Sequence, residues 1–266
     1  MNQKWSRRAR QAFRLPWPSL RDKLNTYRRE ACRCGDLGAS RPDWVVLSRQ
    51  LRPWLRSLQN GATPIGLGLP WITFTAIERL QQHLRPKMRV FEFGSGGSTV
   101  FFVRHGVVLY SVEHEPAWYQ RVVNELAKKK IADHHLRLIE PEAPGGGIPG
   151  DPGDPESYAT SDELLRNCTF RNYAASIDVH EPESFDLILV DGRSRPACLR
   201  HSVSRLKPGG LLVLDNSERL EYARGMALVD QVKWPRTDCI GPGPCNRYFW
   251  RTTIWQRPGD ATPRGS

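Results

Sequence analysis

The stretch Arg89 to Phe102, RVFEFGSGGSTVFF, constrains this chain more than any other. A mostly apolar run carries one acid, Glu92, into a cluster of glycines and small hydroxyls, and the chain then turns apolar again. MRVFEF reads as a buried strand, STVFFVRHG as a helix closed by Gly106, and VVLYSVEH as a second strand. Stripping side chains between a strand and a helix lets something come close to the backbone, and here an acid stands beside that opening.

The same alternation extends in both directions. Upstream, WITFTAIERLQQHL sets Phe74, Ile77, Leu80 and Leu84 on one helical face, and Pro86 ends it. Downstream, EPAWYQRVVNELAKKK is a helix with Pro116 near its first position and lysines in its last turn, where cations complement the helix dipole. HLRLIE is a third strand, SFDLILVDG a strand ending in an acid, and RPACLRHSVSRLK a helix stopped by Gly209 and Gly210. LLVLDN is a strand with polar residues at its end, and SERLEYARGMALVDQV a helix with Ser217 placed for N-capping. VKWPRTDCI and RYFWRTTIWQR lie close enough to pair antiparallel. Strands alternating with helices predict an α/β domain built on a Rossmann-like, doubly wound, mostly parallel sheet. Residues 141–160, PEAPGGGIPGDPGDPESYAT, interrupt the rhythm because proline and glycine deny both helix and sheet interior. A loop of that length inside a compact domain predicts a lid, a binding loop or a disordered insertion, and its composition predicts mobility while the site is empty.

Charge is distributed unevenly. Of a net +11, residues 1–60 hold 14 Lys/Arg against 4 Asp/Glu, whereas residues 61–266 hold 25 against 24. The basicity therefore belongs to a helical N-terminal extension, residues 1–65, ahead of a domain at 66–258 and a flexible tail at 259–266. Its opening mixes arginines with Trp5, Phe13 and Trp17, which suits an anionic surface, membrane or nucleic acid, and equally an arm packed on its own domain. No apolar run approaches the roughly 20 residues that a membrane-spanning helix needs. Cys32, Cys34, Cys168, Cys198, Cys239 and Cys245 form neither a disulfide framework nor a zinc spacing, which predicts a reduced, cytoplasmic setting, peripheral to a membrane where the arm engages one.

In a doubly wound sheet, ligands lie at the carboxyl ends of the strands. Glu92 to Ser98, Glu113, Asp191, and Asp215 with Asn216 all fall at such ends. The glycine loop departs from the dinucleotide fingerprint, because Thr99 stands at the third glycine position and Glu92 would repel a pyrophosphate. A carboxylate there suits a cationic ligand without phosphate. Glu113, 19 residues beyond Gly94, is placed to take both hydroxyls of a ribose.

On these residues the chain resembles the class I S-adenosylmethionine-dependent methyltransferases. FEFGSGG is similar to their acid-x-glycine-x-glycine first motif, SVEHEP to their ribose-binding second motif, and FDLILVDG followed by LKPGGLLVLDN to their fourth and later motifs, over roughly residues 66 to 256. The resemblance implies a seven-stranded sheet with an antiparallel last strand and S-adenosylmethionine lying across the first strands. It implies that Gly94 and Gly96 admit the methionine part, that Glu92 balances its ammonium, that Glu113 holds the ribose, and that Ser95, Ser98 and His114 line the same pocket.

Asp191, Asp215 and Asn216 match the metal-binding positions of the catechol and caffeoyl-CoA type of O-methyltransferase. Three oxygen ligands from adjacent strand ends would suit magnesium. The other reading of these residues is local: Asp191 caps a turn and Asp215 with Asn216 opens the next helix. Where that branch carries a lysine base this chain has GRSRP, which leaves Asp191 and Arg193 as the catalytic candidates, with Arg195 and His180 as further groups for deprotonation or for orienting an anionic acceptor. The implied reaction moves a methyl group to an oxygen of a small-molecule or glycan-like acceptor. Two other functions use the same residues: an NAD(P)-dependent oxidoreductase on a Rossmann sheet, disfavoured by Glu92 and Thr99, and a non-catalytic cofactor-binding module whose basic arm engages nucleic acid or membrane. Nothing in the sequence speaks to oligomeric state.

Overall fold

The computed structural model describes residues 19–129, 134–143 and 150–259. Its seven strands are β1 (Arg89–Phe93), β2 (Val108–Glu113), β3 (His134–Leu138), β4 (Phe185–Val190), β5 (Leu206–Asp215), β6 (Arg236–Gly241) and β7 (Trp250–Gln256). They form one sheet in the order β3-β2-β1-β4-β5-β7-β6. Strands β1 to β5 pair in parallel, and β7 runs antiparallel to both β5 and β6. The chain winds outward from β1 to β3 and then crosses back to β4, so the strand order reverses between β1 and β4. That reversal opens a crevice at their carboxyl ends.

The two-residue period of the strands assigns each side chain to a layer. Val90, Leu109, Leu187, Leu189 and Val213 enter one core, while Phe91, Phe93, Val112, Ile188 and Leu214 enter the other. Glu92 and its register partner Ser111 fall on the first face, beneath the helix Gly97–Arg104, whose Phe101 and Phe102 share that core.

The helices Leu20–Cys32 and Trp44–Ser57 also bury themselves in the first core. Ser19 and Asp22 form a capping box on one, and Asp43 accepts from Val45 and Val46 at the start of the other. Tyr27, Ala31, Leu47 and Trp54 pack with Ile77 and Leu80 of the helix Phe74–His83. Trp54 Nε1 donates to the Asn246 carbonyl at 2.7 Å, and Tyr27 meets Phe249 edge-on at 5.0 Å. Residues 20–58 are thus part of the fold rather than a free arm. The anionic-surface expectation for the first 18 residues, and most of the tail at 259–266, lie outside the described residues. Among the described residues no helix is long and apolar enough to cross a membrane.

Two local expectations change. Ser217 does not cap a helix: its N–H donates to the Arg251 carbonyl, Asn216 turns the chain at φ 51°, and the helix begins only at Ala223, running to Asp230. His180 packs against Phe185, Tyr110 and Phe91 toward the amino ends of the strands, away from the rim that carries the other candidates. In the proline- and glycine-rich loop, residues 144–149 lie outside the described residues, but residues 150–160 are anchored. The Tyr158 hydroxyl accepts from Arg200 at 3.0 Å and lies 3.1 Å from His201 Nε2, both on the helix Arg195–Ser202, and Arg224 pairs with Asp151 at 2.9 Å.

Candidate functional site

Glu92, one residue before the end of β1, is fully buried. Its Oε1 accepts from Thr99 Oγ1 at 2.5 Å and from Ser111 Oγ at 2.6 Å, whereas Oε2 has no partner among the described residues. Burial pushes this carboxyl up to about 7; the hydroxyls of Ser111, Thr99 and the buried Ser98 hold it back, and the charge of Asp191 adds to the rise. Thr99, where a dinucleotide loop would carry a third glycine, has a local job as well. Its hydroxyl accepts from Gly96 N–H at 2.8 Å and so satisfies an orphan donor at the start of the helix.

Glu113, at the end of β2, is also buried and uses both oxygens. Oε2 accepts from the Ser95 N–H and hydroxyl at 3.1 and 3.0 Å, and Oε1 from the N–H groups of His114 and Glu115 at 2.8 and 3.0 Å. His114 Nδ1 lies 2.8 Å from the same oxygen, off the line of a hydrogen bond. Burial pushes the Glu113 carboxyl up, but His114 and the backbone donors outweigh it and hold the group below the ordinary glutamate value. The carboxylate thereby fastens the glycine loop to the end of β2. Trp118, which sequence reasoning missed, braces the same loop: its indole donates to the Ser95 carbonyl at 2.7 Å and lies 3.6 Å from where a Cβ on Gly96 would sit.

Gly94 has φ +91°, and a Cβ there would meet the Gly192 backbone at 2.8 Å. The ends of β1 and β4 therefore touch through two glycines. A Cβ on Gly192 would fall 2.0 Å from the hydroxyl of Tyr173, a fully buried side chain whose oxygen has no partner among the described residues. Tyr173 and Phe170 pack around His114 with ring centroids 6.2 and 5.7 Å away. Only the tertiary structure brings them there, because both lie just past the long loop. Gly97 serves packing instead, since a Cβ would fall 2.0 Å from the Leu69 carbonyl.

At the ends of β4 and β5 a protein cation stands among the residues expected to hold a metal. Arg195 Nη2 donates to Asp191 Oδ1 at 2.8 Å, Nη1 to the Asp215 carbonyl at 2.5 Å, and Nε to the Gly192 carbonyl at 3.1 Å. Asp215 Oδ1 faces the core, accepting from Trp250 Nε1 at 2.8 Å and Thr252 Oγ1 at 2.7 Å, and Asn216 Oδ1 accepts from Arg219 at 3.1 Å. The three residues are neighbours, but a guanidinium ties Asp191 to the end of β5. Among the described residues no group of three His, Cys, Asp or Glu is arranged to hold a metal ion. Burial pushes both aspartates up; Arg195 offsets the rise at Asp191, whereas the charge of Asp191 adds to it at Asp215.

Beside this cluster lies a cavity of about 30 Å³ lined by Thr160, Ser161, Arg193, Arg195, Arg219 and Glu221, among others. Arg193 pairs with Asp162 at 3.0 Å, and its buried Nε has no partner among the described residues. The turn that presents it includes Ser194 at φ +46°, a left-handed conformation rare outside glycine, held between β4 and the following helix.

No family model and no curated protein matches this chain. Solved structures do. A methyltransferase-like protein from Silicibacter pomeroyi is 26% identical, with 71% of this chain and 88% of that one covered and a TM-score of 0.46. A candidate methyltransferase from Streptococcus mutans in complex with SAH is 14% identical, over 73% and 98% of the two chains, at 0.43. A precorrin-6Y C5,15-methyltransferase from Geobacter metallireducens is 14% identical, over 70% and 90%, also at 0.43.

Proposed function

We propose that this chain is an S-adenosylmethionine-dependent methyltransferase acting on an oxygen of a small-molecule or glycan-like acceptor. The observation that carries the reading is Glu92, a fully buried carboxyl beside the glycine loop with one oxygen unpartnered among the described residues. A pyrophosphate would have to lie against that acid, whereas the ammonium of a methionine moiety satisfies it. The residues therefore fit the sulfonium cofactor and not a dinucleotide.

In this reading Glu92 Oε2 takes the ammonium, Gly94 and Gly96 leave room for the methionine part, and Ser98 lines the pocket beside them. Glu113 takes ribose hydroxyls in exchange for the hydroxyl of Ser95, while the Ser95 N–H keeps the loop attached. His114 with Phe170 and Tyr173 borders the nucleoside. S-adenosylmethionine, when bound, supplies an electrophilic methyl group, so the protein's task is to place an acceptor oxygen in line with it. Asp191, whose proton affinity burial raises, accepts the acceptor's proton at the rim, and Arg193 orients the acceptor. Arg195 carries the positive charge that magnesium supplies in the metal-dependent branch.

Calorimetric titration with S-adenosylhomocysteine, NAD and NADP tests the cofactor. Binding of S-adenosylhomocysteine alone is expected, and binding of NAD or NADP in its place would refute the reading. Labelled-methyl transfer to hydroxyl and amine acceptors tests the oxygen assignment, which falls if only amines are modified.

A further inference from the structure

We infer that the acceptor is an anion whose carboxylate or phosphate group enters the arginine-lined cavity beyond β4 and β5. The inference rests on the methyltransferase reading and names the substrate class of that same site. Three arginines line the cavity against one carboxylate, Glu221, which already accepts from Ser161 Oγ at 2.9 Å. Each of the three has a carboxylate beside it, Asp162, Asp191 and Glu221, so what an anion meets there is a spare donor rather than an excess of charge. The arginines divide the work. Arg195 is consumed by Asp191 and by the carbonyls of Asp215 and Gly192, so it is structural. Arg219 donates to neutral acceptors, Asn216 Oδ1 and Tyr222 Oη, and reaches the cavity with Nη1 at 4.0 Å from Glu221. Arg193 pairs with Asp162 and keeps a buried Nε without a partner among the described residues.

A planar guanidinium with a donor to spare recognises an oxyanion through two parallel hydrogen bonds. Thr160 and Ser161 add hydroxyls to the lining. At about 30 Å³ the cavity admits an oxyanion head group and no more, so the rest of the acceptor extends toward Asp191 and the glycine loop. An anion held there also leaves its own hydroxyl harder to ionise, which matches a site that provides a base.

The test titrates the wild-type protein with acetate and, separately, with inorganic phosphate, at ionic strength held constant with sodium chloride, reading the rise in Tm. At least one anion is expected to raise Tm beyond chloride, and the arm that responds identifies the head group. Arg193→Gln is expected to weaken the apparent affinity at least tenfold. Arg193→Lys, which keeps the charge and loses the fork, is expected to fall between the two and guards against misfolding of the first variant. A wild-type response no larger than chloride's, or equal affinities in wild type and Arg193→Gln, overturns the inference. Titration of the wild type with S-adenosylhomocysteine runs alongside: its failure would remove the methyltransferase reading while leaving the anion result standing.

Discussion

Glu92→Gln separates a structural from a functional charge. The wild-type carboxyl titrates near 7 in the folded protein against an ordinary 4.5, because burial outweighs the hydroxyls that solvate it. The folded state therefore holds an extra proton between those values. Its stabilising effect is complete below 4.5 and is lost as pH rises through 7. A displacement of that size corresponds to about 3 kcal/mol. The amide of the variant would keep an oxygen as the acceptor for Thr99 and Ser111 and carry no charge to bury. Above pH 7 the variant is thus expected to be the more stable by about 3 kcal/mol, or roughly 6–12 °C in Tm for a chain of this size. Below pH 5 the two proteins should converge.

The same substitution acts in the opposite direction on the ligand. The lost bond to an ammonium is charge-assisted and buried, worth roughly 1.5–3 kcal/mol, so S-adenosylhomocysteine affinity at pH 8 should fall roughly 10- to 100-fold. In the wild type, affinity should rise with pH up to about 7 as Glu92 ionises and then level off, whereas in Glu92→Gln this slope is absent. The assays are thermal unfolding from pH 5 to 9 and calorimetry over the same range. Parallel stability curves for the two proteins would refute the buried-charge argument. Equal affinities would refute the ammonium assignment even if the stability curves diverge as expected.

Gly94→Ala is expected to destabilise by about 2 kcal/mol or more, since the residue has φ +91° and the new Cβ would lie 2.8 Å from Gly192 Cα; denaturant unfolding measures it. Glu113→Ala should lose both S-adenosylhomocysteine affinity and stability, because four donors from Ser95, His114 and Glu115 are left without their acceptor; an unchanged denaturation midpoint would contradict this. Arg195→Met should cost about 3–5 kcal/mol at neutral pH by leaving the Asp191 carboxylate without its cation and the Asp215 carbonyl without its donor, and methyl transfer by the wild type should survive excess chelator; loss of activity on chelation with recovery on adding magnesium would restore the metal reading.

The sheet was legible because its evidence is local. Each strand of residues 89–113 and 185–215 is a mostly apolar run with its acids near the ends, and the glycines sit where strand becomes helix. Glu92 and Glu113 were legible for the same reason, as acids at the ends of buried strands. The packing of the N-terminal helices on the domain was not, because the arginines that dominate residues 20–58 lie exposed and conceal the few residues that matter. Tyr27, Leu47 and Trp54 are too sparse to read as a core stripe until Phe249 and Asn246, some 200 positions later, supply the surface they bury against. Ser217 misled in the same way, since its N–H is claimed by the Arg251 carbonyl across the sheet rather than by a helix start.

The acid cluster at β4 and β5 shows where local reading stops. Asp191 and Asp215 end adjacent parallel strands, and two buried carboxyls on one rim call for a cation beside them or a proton on one of them. The sequence states that requirement without saying what meets it. A divalent ion and a guanidinium both bring positive charge to such a pair, and DGRSRP holds an arginine four residues after Asp191 that reads as one of two rim arginines rather than as a core residue. The choice is made by the left-handed turn at Ser194, which directs the start of the helix so that Arg195 points inward, and by Trp250 and Thr252 on β7, which turn Asp215 away from the rim. With that charge supplied from within the chain, Arg193 no longer has to neutralise the strand ends. Among the described residues lining the cavity it is the rim cation whose buried Nε remains without a partner, so acceptor recognition falls to it.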